Sequence, residues 1–198
     1  MKTFLKGFCI GLLSLSLLGL LWFLVIQPGL TNKEAQDLKE EYAQPLPGEP
    51  SGELPAGKEQ AASLVNLSAL QAEYPDIKGW ISIPGTCVDY PVLQSSTDEP
   101  EYYLRHTYKG EHRTAGSIFF QWDCSPESKN LVVYGHNMSD GTMFAVLQKM
   151  ADEAFRKEHP QILLQTSDGL REYRIAAVLK TDIQKLPFNR TGFADDAD

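Results

Sequence analysis

The sequence predicts a mainly β domain with a few helices, set behind an apolar N-terminal helix. Three observations point there. Short runs rich in Ile, Val and Tyr alternate with turn residues between positions 80 and 134, the pattern of strands rather than of long helices. Ser167-Asp168-Gly169 divides two further runs of this kind, and an Asp-Gly pair in that setting is a strong hairpin signal. Helical spacing of apolar residues is confined, within the domain, to the stretches near 64–74 and 143–158.

The first element is the apolar helix. Lys2 and Lys6 precede residues 7–26, which carry no charge. As a helix those residues rise about 30 Å, the thickness of a bilayer's hydrocarbon. A cleaved signal peptide fits the basic start and apolar run equally. The run is long for a signal peptide, however, and Phe23-Leu24-Val25-Ile26-Gln27-Pro28 offers no A-x-A-like cleavage site. The expectation is therefore an uncleaved single-pass anchor over 7–26, with residues 1–6 cytoplasmic and the rest extracellular, because the lysines precede the span.

Residues 27–63 read as a stalk. Pro28, Pro45, Pro47, Pro50 and Pro55 interleave with glycines, and Lys33, Lys39 and Lys58 face Glu34, Asp37, Glu40, Glu41, Glu49, Glu53 and Glu59. Such a segment buries too little apolar surface to offset the entropy of ordering it. A short helix over 31–42, capped by Thr31 or Asn32, fits within it.

The folded domain is expected over 64–198. Leu64, Leu67, Leu70 and Tyr74 recur at helical spacing, with Asn66 or Ser68 as cap and Pro75 as stop. Strands follow over 80–83, 88–93, 117–120 and 131–134. In the second of these Val88, Tyr90 and Val92 share one face, leaving Cys87 and Asp89 on the other. Met143, Phe144, Val146, Leu147 and Met150 then predict an amphipathic helix that Thr142 would cap, and a second helical piece spans 152–158 before Pro160. Strands over 162–166 and 171–181 flank the Asp-Gly turn. The tail, 187–198, is polar and acidic, without a closing strand.

Composition narrows the function. Lys+Arg number 18 against Asp+Glu 26, a net charge of -8, and no basic run is present to neutralise a line of phosphates. Nucleic acid is excluded as a partner on that ground. Of the three cysteines, Cys9 lies in the apolar run; Cys87 and Cys124 can supply one disulfide, but a domain of this size builds a core without one, and the sequence leaves their pairing open. His106, His112 and His159 make no ligand spacing, so no metal and no cofactor is expected. Tyr102, Tyr103, Phe119, Phe120 and Trp122 suit a core or its rim better than a sugar-stacking platform.

His136 is the most informative position. It follows the run Leu131-Val132-Val133-Tyr134 and a glycine, and precedes Asn137-Met138-Ser139-Asp140-Gly141-Thr142. A histidine where a strand gives way to a loop can reach a substrate while the sheet holds its backbone. An isolated histidine is more commonly a structural one, and the neighbouring blocks decide between the two.

Those blocks carry a resemblance across roughly 64–180. Asp76-Ile77-Lys78-Gly79-Trp80-Ile81-Ser82-Ile83-Pro84-Gly85-Thr86 and Val88-Asp89-Tyr90-Pro91-Val92-Leu93-Gln94 resemble the opening strands of class B sortases. Glu101-Tyr102-Tyr103-Leu104-Arg105-His106, Ala115-Gly116-Ser117-Ile118-Phe119 and Val133-Tyr134-Gly135-His136-Asn137-Met138, with Gly141-Thr142-Met143-Phe144, follow in that family's order. The resemblance implies a closed β barrel with an N-terminal helix and inserted helices, and a groove lined by a cysteine thiolate, a histidine and an arginine. It implies a cysteine transpeptidase. The thiolate attacks a Thr-Gly or Thr-Asn type bond in the C-terminal sorting signal of a surface protein or pilin. An amine on a peptidoglycan precursor or pilin then resolves the thioacyl enzyme. His136 would carry the general acid/base step, and the arginine would hold the oxyanion.

The sequence departs from the family after His136. The nucleophile's pattern, resembling Thr-Leu-Ser-Thr-Cys, and the arginine strand beyond it do not occur; Arg156, Arg171, Arg174 and Arg190 stand in helix, hairpin or loop contexts, and no cysteine follows Cys124. The expectation is a chain lacking its last strands, and inactive as it stands. Nothing near Cys124 supplies the cation or helix N-terminus that lowers a thiol pKa, and Cys87 is expected on a strand facing outward. The alternative is a tethered β-barrel binding module without catalysis. A hydrolase pairing His136 with Ser139 fails because the hydroxyl lies in the same loop three residues on.

Overall fold

The computed structural model describes residues 2–22, 27–44, 64–182, 184–186 and 188–189. Positions 23–26 of the expected span, 45–63 of the expected stalk, and Arg190 with the acidic tail lie outside the described residues.

The domain is built on a six-stranded sheet of order β6-β5-β4-β3-β7-β8. In chain order the strands are β3 (Ile77–Ser82), β4 (Asp89–Gln94), β5 (Ile118–Phe120), β6 (Val133–Tyr134), β7 (Gln161–Thr166) and β8 (Gly169–Arg174). All pairings are antiparallel except β4 with β5, which is parallel. A small two-stranded piece, β1 (Ala43–Gln44) with β2 (Leu64–Val65), lies beside it. The sheet is curled into part of a barrel whose rim is β6 on one side and β8 on the other, so the mainly β expectation holds.

Both faces of the central strands are covered, which explains why their sequences run apolar rather than alternating. Ile81, Val92, Ile118 and Phe120 point into one cluster with Met143, Val146 and Met150. Trp80, Leu93 and Phe119 point into the other, against Leu67 and Leu70 of helix α3 (Leu67–Glu73). As predicted, Asn66 caps α3, its side chain accepting from the Ala69 N–H at 3.1 Å.

The N-terminal part holds α1 (Lys2–Leu21) and α2 (Gln27–Glu41). Among the described residues no helix is long and apolar enough to cross a membrane. This corrects the single-pass anchor expected over 7–26, and with it the membrane contact and the inside–outside placement of the chain. Within α1 the uncharged described stretch, residues 7–21, rises roughly 22 Å, short of the roughly 30 Å of hydrocarbon.

Residues 27–41, assigned from composition to the stalk, form a helix that docks on the domain. Ala35 and Leu38 of α2 are 4% and 3% exposed. Two ion pairs fasten it: Glu34 takes both guanidinium nitrogens of Arg113 at 2.5 and 2.8 Å, and Lys39 meets Asp89 at 2.7 Å. Because α2 starts at Gln27, Thr31 and Asn32 are interior positions rather than caps.

Two further expectations change. The strand predicted over 171–181 ends at Arg174, because Arg174 pairs with Gln161, the first residue of β7, and the ladder has no partner beyond it. The hairpin itself is as predicted, with Thr166 opposite Gly169 at φ +125°. The amphipathic helix over 143–150 is instead a 3-10 stretch, Ala145–Ala151. Asp140 draws off the Thr142 N–H and hydroxyl at 2.8 and 2.6 Å, and Met143 adopts φ +55°, so neither residue can start an α-helix. Helix α4 (Glu153–Glu158) follows, capped by Asp152.

Candidate functional site

The candidate site grows from the β6 edge. Val133 and Tyr134 pair with Phe120 and Phe119, which fixes the backbone direction entering Gly135 and His136. Glycine at 135 answers a close approach: a Cβ there would stand 2.4 Å from Ile118 Cδ1 and 2.6 Å from Phe144 Cδ2. Phe144 lies so near because residues 136–144 fold back as a clasp. The Phe144 N–H donates to the His136 carbonyl at 2.9 Å, and Asn137 and Met143 form an isolated antiparallel bridge.

At the clasp's return Met143 is 1% exposed and takes φ +55°. The left-handed region costs a side-chain-bearing residue roughly 1–2 kcal/mol, so surrounding contacts must hold it there. One is the Tyr90 hydroxyl on β4, which accepts the Met143 N–H at 3.1 Å. Another brace reaches the clasp from the β3–β4 connection, where the Cys87 thiol donates to the Gly141 carbonyl at 3.2 Å.

The His136 side chain is half-buried, and its Nδ1 is buried with no hydrogen-bond partner. Burial pushes the imidazole below its ordinary value of 6.5, and the neighbouring Arg105 guanidinium adds to that push. A lowered pKa favours the neutral ring near pH 7, the form that can take up a proton.

The other sequence candidates separate. Cys87 and Cys124 are both free, the first exposed and the second buried. Cys87 belongs to the neighbourhood of the clasp. Cys124 does not, its thiol facing the Gln121 and Val132 carbonyls at 3.2 and 3.7 Å. Desolvation of the sulfur, partial at Cys87 where the clasp covers it, raises the pKa of both thiols, which disfavours the thiolate.

Among the described residues, the arginines after His136 are engaged elsewhere. Arg156 donates to the Met150 carbonyl at 2.6 Å, Arg171 to the Pro126 carbonyl and to Asp168, and Arg174 lies 4.0 Å from Glu172. Among the described residues no group of three or more His, Cys, Asp or Glu side chains is placed to hold a metal. His106 stacks on Tyr102 with ring centroids 3.9 Å apart, and His159 faces the Pro84 carbonyl at 2.9 Å. Tyr103, Phe119 and Phe120 are core residues, whereas Trp122 is exposed.

Sequence reasoning missed Arg105 as a neighbour of His136, and Tyr90 as a support of the clasp. Neither has a local signal, since each reaches the loop only through tertiary folding.

Comparisons with known proteins bear on the family and the fold. The family model described as Sortase domain matches residues 81–195. The chain is 43% identical over 117 residues to Sortase B of Listeria monocytogenes, covering 58% of this chain and 47% of the relative. It is 36% identical over 136 residues to Sortase B of Staphylococcus aureus, covering 67% of this chain and 54% of the relative. The chain therefore spans about half the length of the curated relatives it matches. Among solved structures, a Staphylococcus aureus sortase B–substrate complex superposes with a TM-score of 0.64 at 28% identity, over 84% of this chain and 69% of that one. Sortase B from Listeria monocytogenes gives 0.56 at 40% identity, over 65% and 73%. A domain match over more than half the sequence, the identity to two class B relatives and a partly closed sheet of the same form together place the chain in the sortase family, in its class B branch.

Proposed function

We propose that the chain provides the general acid/base half of a cysteine transpeptidase centre, with His136 as the catalytic residue and the catalytic unit beginning near Leu64. The observation that carries this is a half-buried imidazole of lowered pKa, held by its backbone at the sheet rim. In the reaction the neutral His136 imidazole takes the proton of a cysteine thiol, and the thiolate so formed attacks the carbonyl carbon of a sorting-signal peptide bond. The imidazolium of His136 gives its proton to the departing amine, leaving a thioacyl enzyme. An acceptor amine, on a cell-wall precursor or a pilin subunit, next attacks that thioester. His136 takes the amine's proton as the thiolate departs, and passing that proton back to the sulfur restores the neutral ring and the thiol.

The cysteine and the oxyanion-holding arginine of the family's pattern do not occur among residues 1–198 after His136. With both available thiols raised in pKa, residues 1–198 alone are expected to give no turnover. A sortase-like binding module without catalysis is the competing reading, and those raised thiols are what favour it.

A chimera separates the two. Residues 64–182 of this chain replace their counterpart in Staphylococcus aureus sortase B, which keeps its own downstream strands, and cleavage of a quenched sorting-signal peptide is followed. Turnover that falls about 10²–10⁴-fold on His136→Ala supports the acid/base role. A well-folded chimera that binds the peptide without cleaving it favours the binding module, and cleavage indifferent to His136→Ala rejects the assignment.

A further inference from the structure

We propose that Tyr90 is a positioning residue for His136, and that helix α2 holds Tyr90 to this task through Asn32. The proposal rests on the acid/base reading of His136 and adds to it the means by which the imidazole is kept in place.

Tyr90 lies in the middle of the sheet on β4 and is 3% exposed. For packing alone a phenylalanine would serve. A buried hydroxyl must find partners, and the two that this one has both lie off the sheet. It donates to Asn32 Oδ1 on α2, 58 residues away in sequence, and accepts the Met143 N–H, 53 residues away, at 3.1 Å.

Those partners form a path to the site. Met143 bridges to Asn137, the residue after His136, and the next N–H, that of Phe144, closes on the His136 carbonyl at 2.9 Å. The phenol therefore grips the returning limb of the loop whose outgoing limb is His136. Met143 sits at φ +55°, a conformation held only where contacts over-determine it, and the Tyr90 hydroxyl is the contact that acts on its N–H. Asn32 is in turn kept in register by the Glu34–Arg113 and Lys39–Asp89 pairs, both C-terminal to it along α2.

The test uses the 198-residue chain and NMR readouts that need no turnover. Amide exchange at Met143 and Phe144 and the titration of the His136 ring, which faces the Arg105 charge, are compared among wild type, Tyr90→Phe, Asn32→Leu and Asn32→Asp. Tyr90→Phe is expected to speed exchange at Met143 and Phe144 about fivefold to tenfold while amides of β3 stay unchanged. The His136 midpoint should also move up toward 6.5 as the loop loosens and water reaches the ring. Asn32→Leu should shift both readouts in the same direction, and Asn32→Asp, which keeps an acceptor for the phenol, should retain wild-type values.

Wild-type exchange and titration in Tyr90→Phe would overturn the proposal. So would a uniform rise across all sheet amides, which marks a merely structural tyrosine. Should Tyr90→Phe fail to fold, Asn32→Leu against Asn32→Asp decides by the same readouts. Failure of the acid/base reading shows separately, as peptide cleavage by the chimera that survives His136→Ala.

Discussion

Strands β4 and β8 are both six residues long, yet they are held in quite different ways. β4 is paired on both sides, with β3 and β5, and four of its six residues are buried. β8 is paired only with β7, and five of its six residues are exposed. The two strands therefore differ in their ladders, and they differ as much in what covers their faces. Val92 and Leu93 of β4 enter the two opposite apolar clusters, whereas Leu170 and Tyr173 of β8 remain 45% and 41% exposed. The centre is fixed by packing and the rim by a two-residue turn. The site combines both, since His136 stands at the thin β6 rim while the loop beyond it leans on the centre through Tyr90.

The contrast predicts a graded response to mutation. Phe120→Ala, at the fully buried end of β5, should cost about 3–5 kcal/mol, read as a lower urea midpoint with an unchanged m-value. A loss under 1 kcal/mol would break the claim that the centre is fixed by packing. Gly135→Ala should cost about 1–3 kcal/mol, because its Cβ meets Ile118 and Phe144 at 2.4 and 2.6 Å. It should also displace the His136 ring resonance. Arg113→Ala removes both bonds to Glu34 and leaves that carboxylate partly buried without its partner; about 1–2 kcal/mol is expected, concentrated in exchange of α2 amides.

A pH dependence sharpens the rim side of the comparison. The folded-state pKa of His136 lies below its ordinary value of 6.5 through burial and Arg105, so between the two values the unfolded chain binds more protons. Stability therefore rises with pH across that window and is lost as pH falls from above 6.5 through the lowered value. Urea midpoints at pH 5 and pH 8 in wild type and His136→Gln should show this slope reduced in the variant. The smallest effect is expected at β8, where Leu170→Ser should stay within about 0.5 kcal/mol; a larger loss would mean that this rim is packed more tightly than its exposure indicates.

Much of the fold was legible in order along the chain. Asn66 before Leu67 and Leu70, the Asp168-Gly169 turn, and the apolar runs of β3 to β5 each carry a short-range signal, because capping, turn geometry and side-chain period act within a few residues. The errors arose where distant contacts overrode such signals. Met143 to Met150 has helical spacing, but Asp140 and Tyr90 compete for the backbone at its start. Residues 27–41 have the composition of a linker, and only Arg113 and Asp89, brought up by the sheet, turn that charge into a docking face.

The sequence by itself determined the mainly β class, the family resemblance, and His136 with a glycine before it as the place to look. Tertiary structure alone decided the protonation tendency of that imidazole, the free and raised thiols, and the brace from α2 through Tyr90. The physical reason is range: patterns of period and turn chemistry are written between near neighbours, whereas burial, pairing of charges and a backbone held at positive φ exist only once residues some 50 positions apart have met.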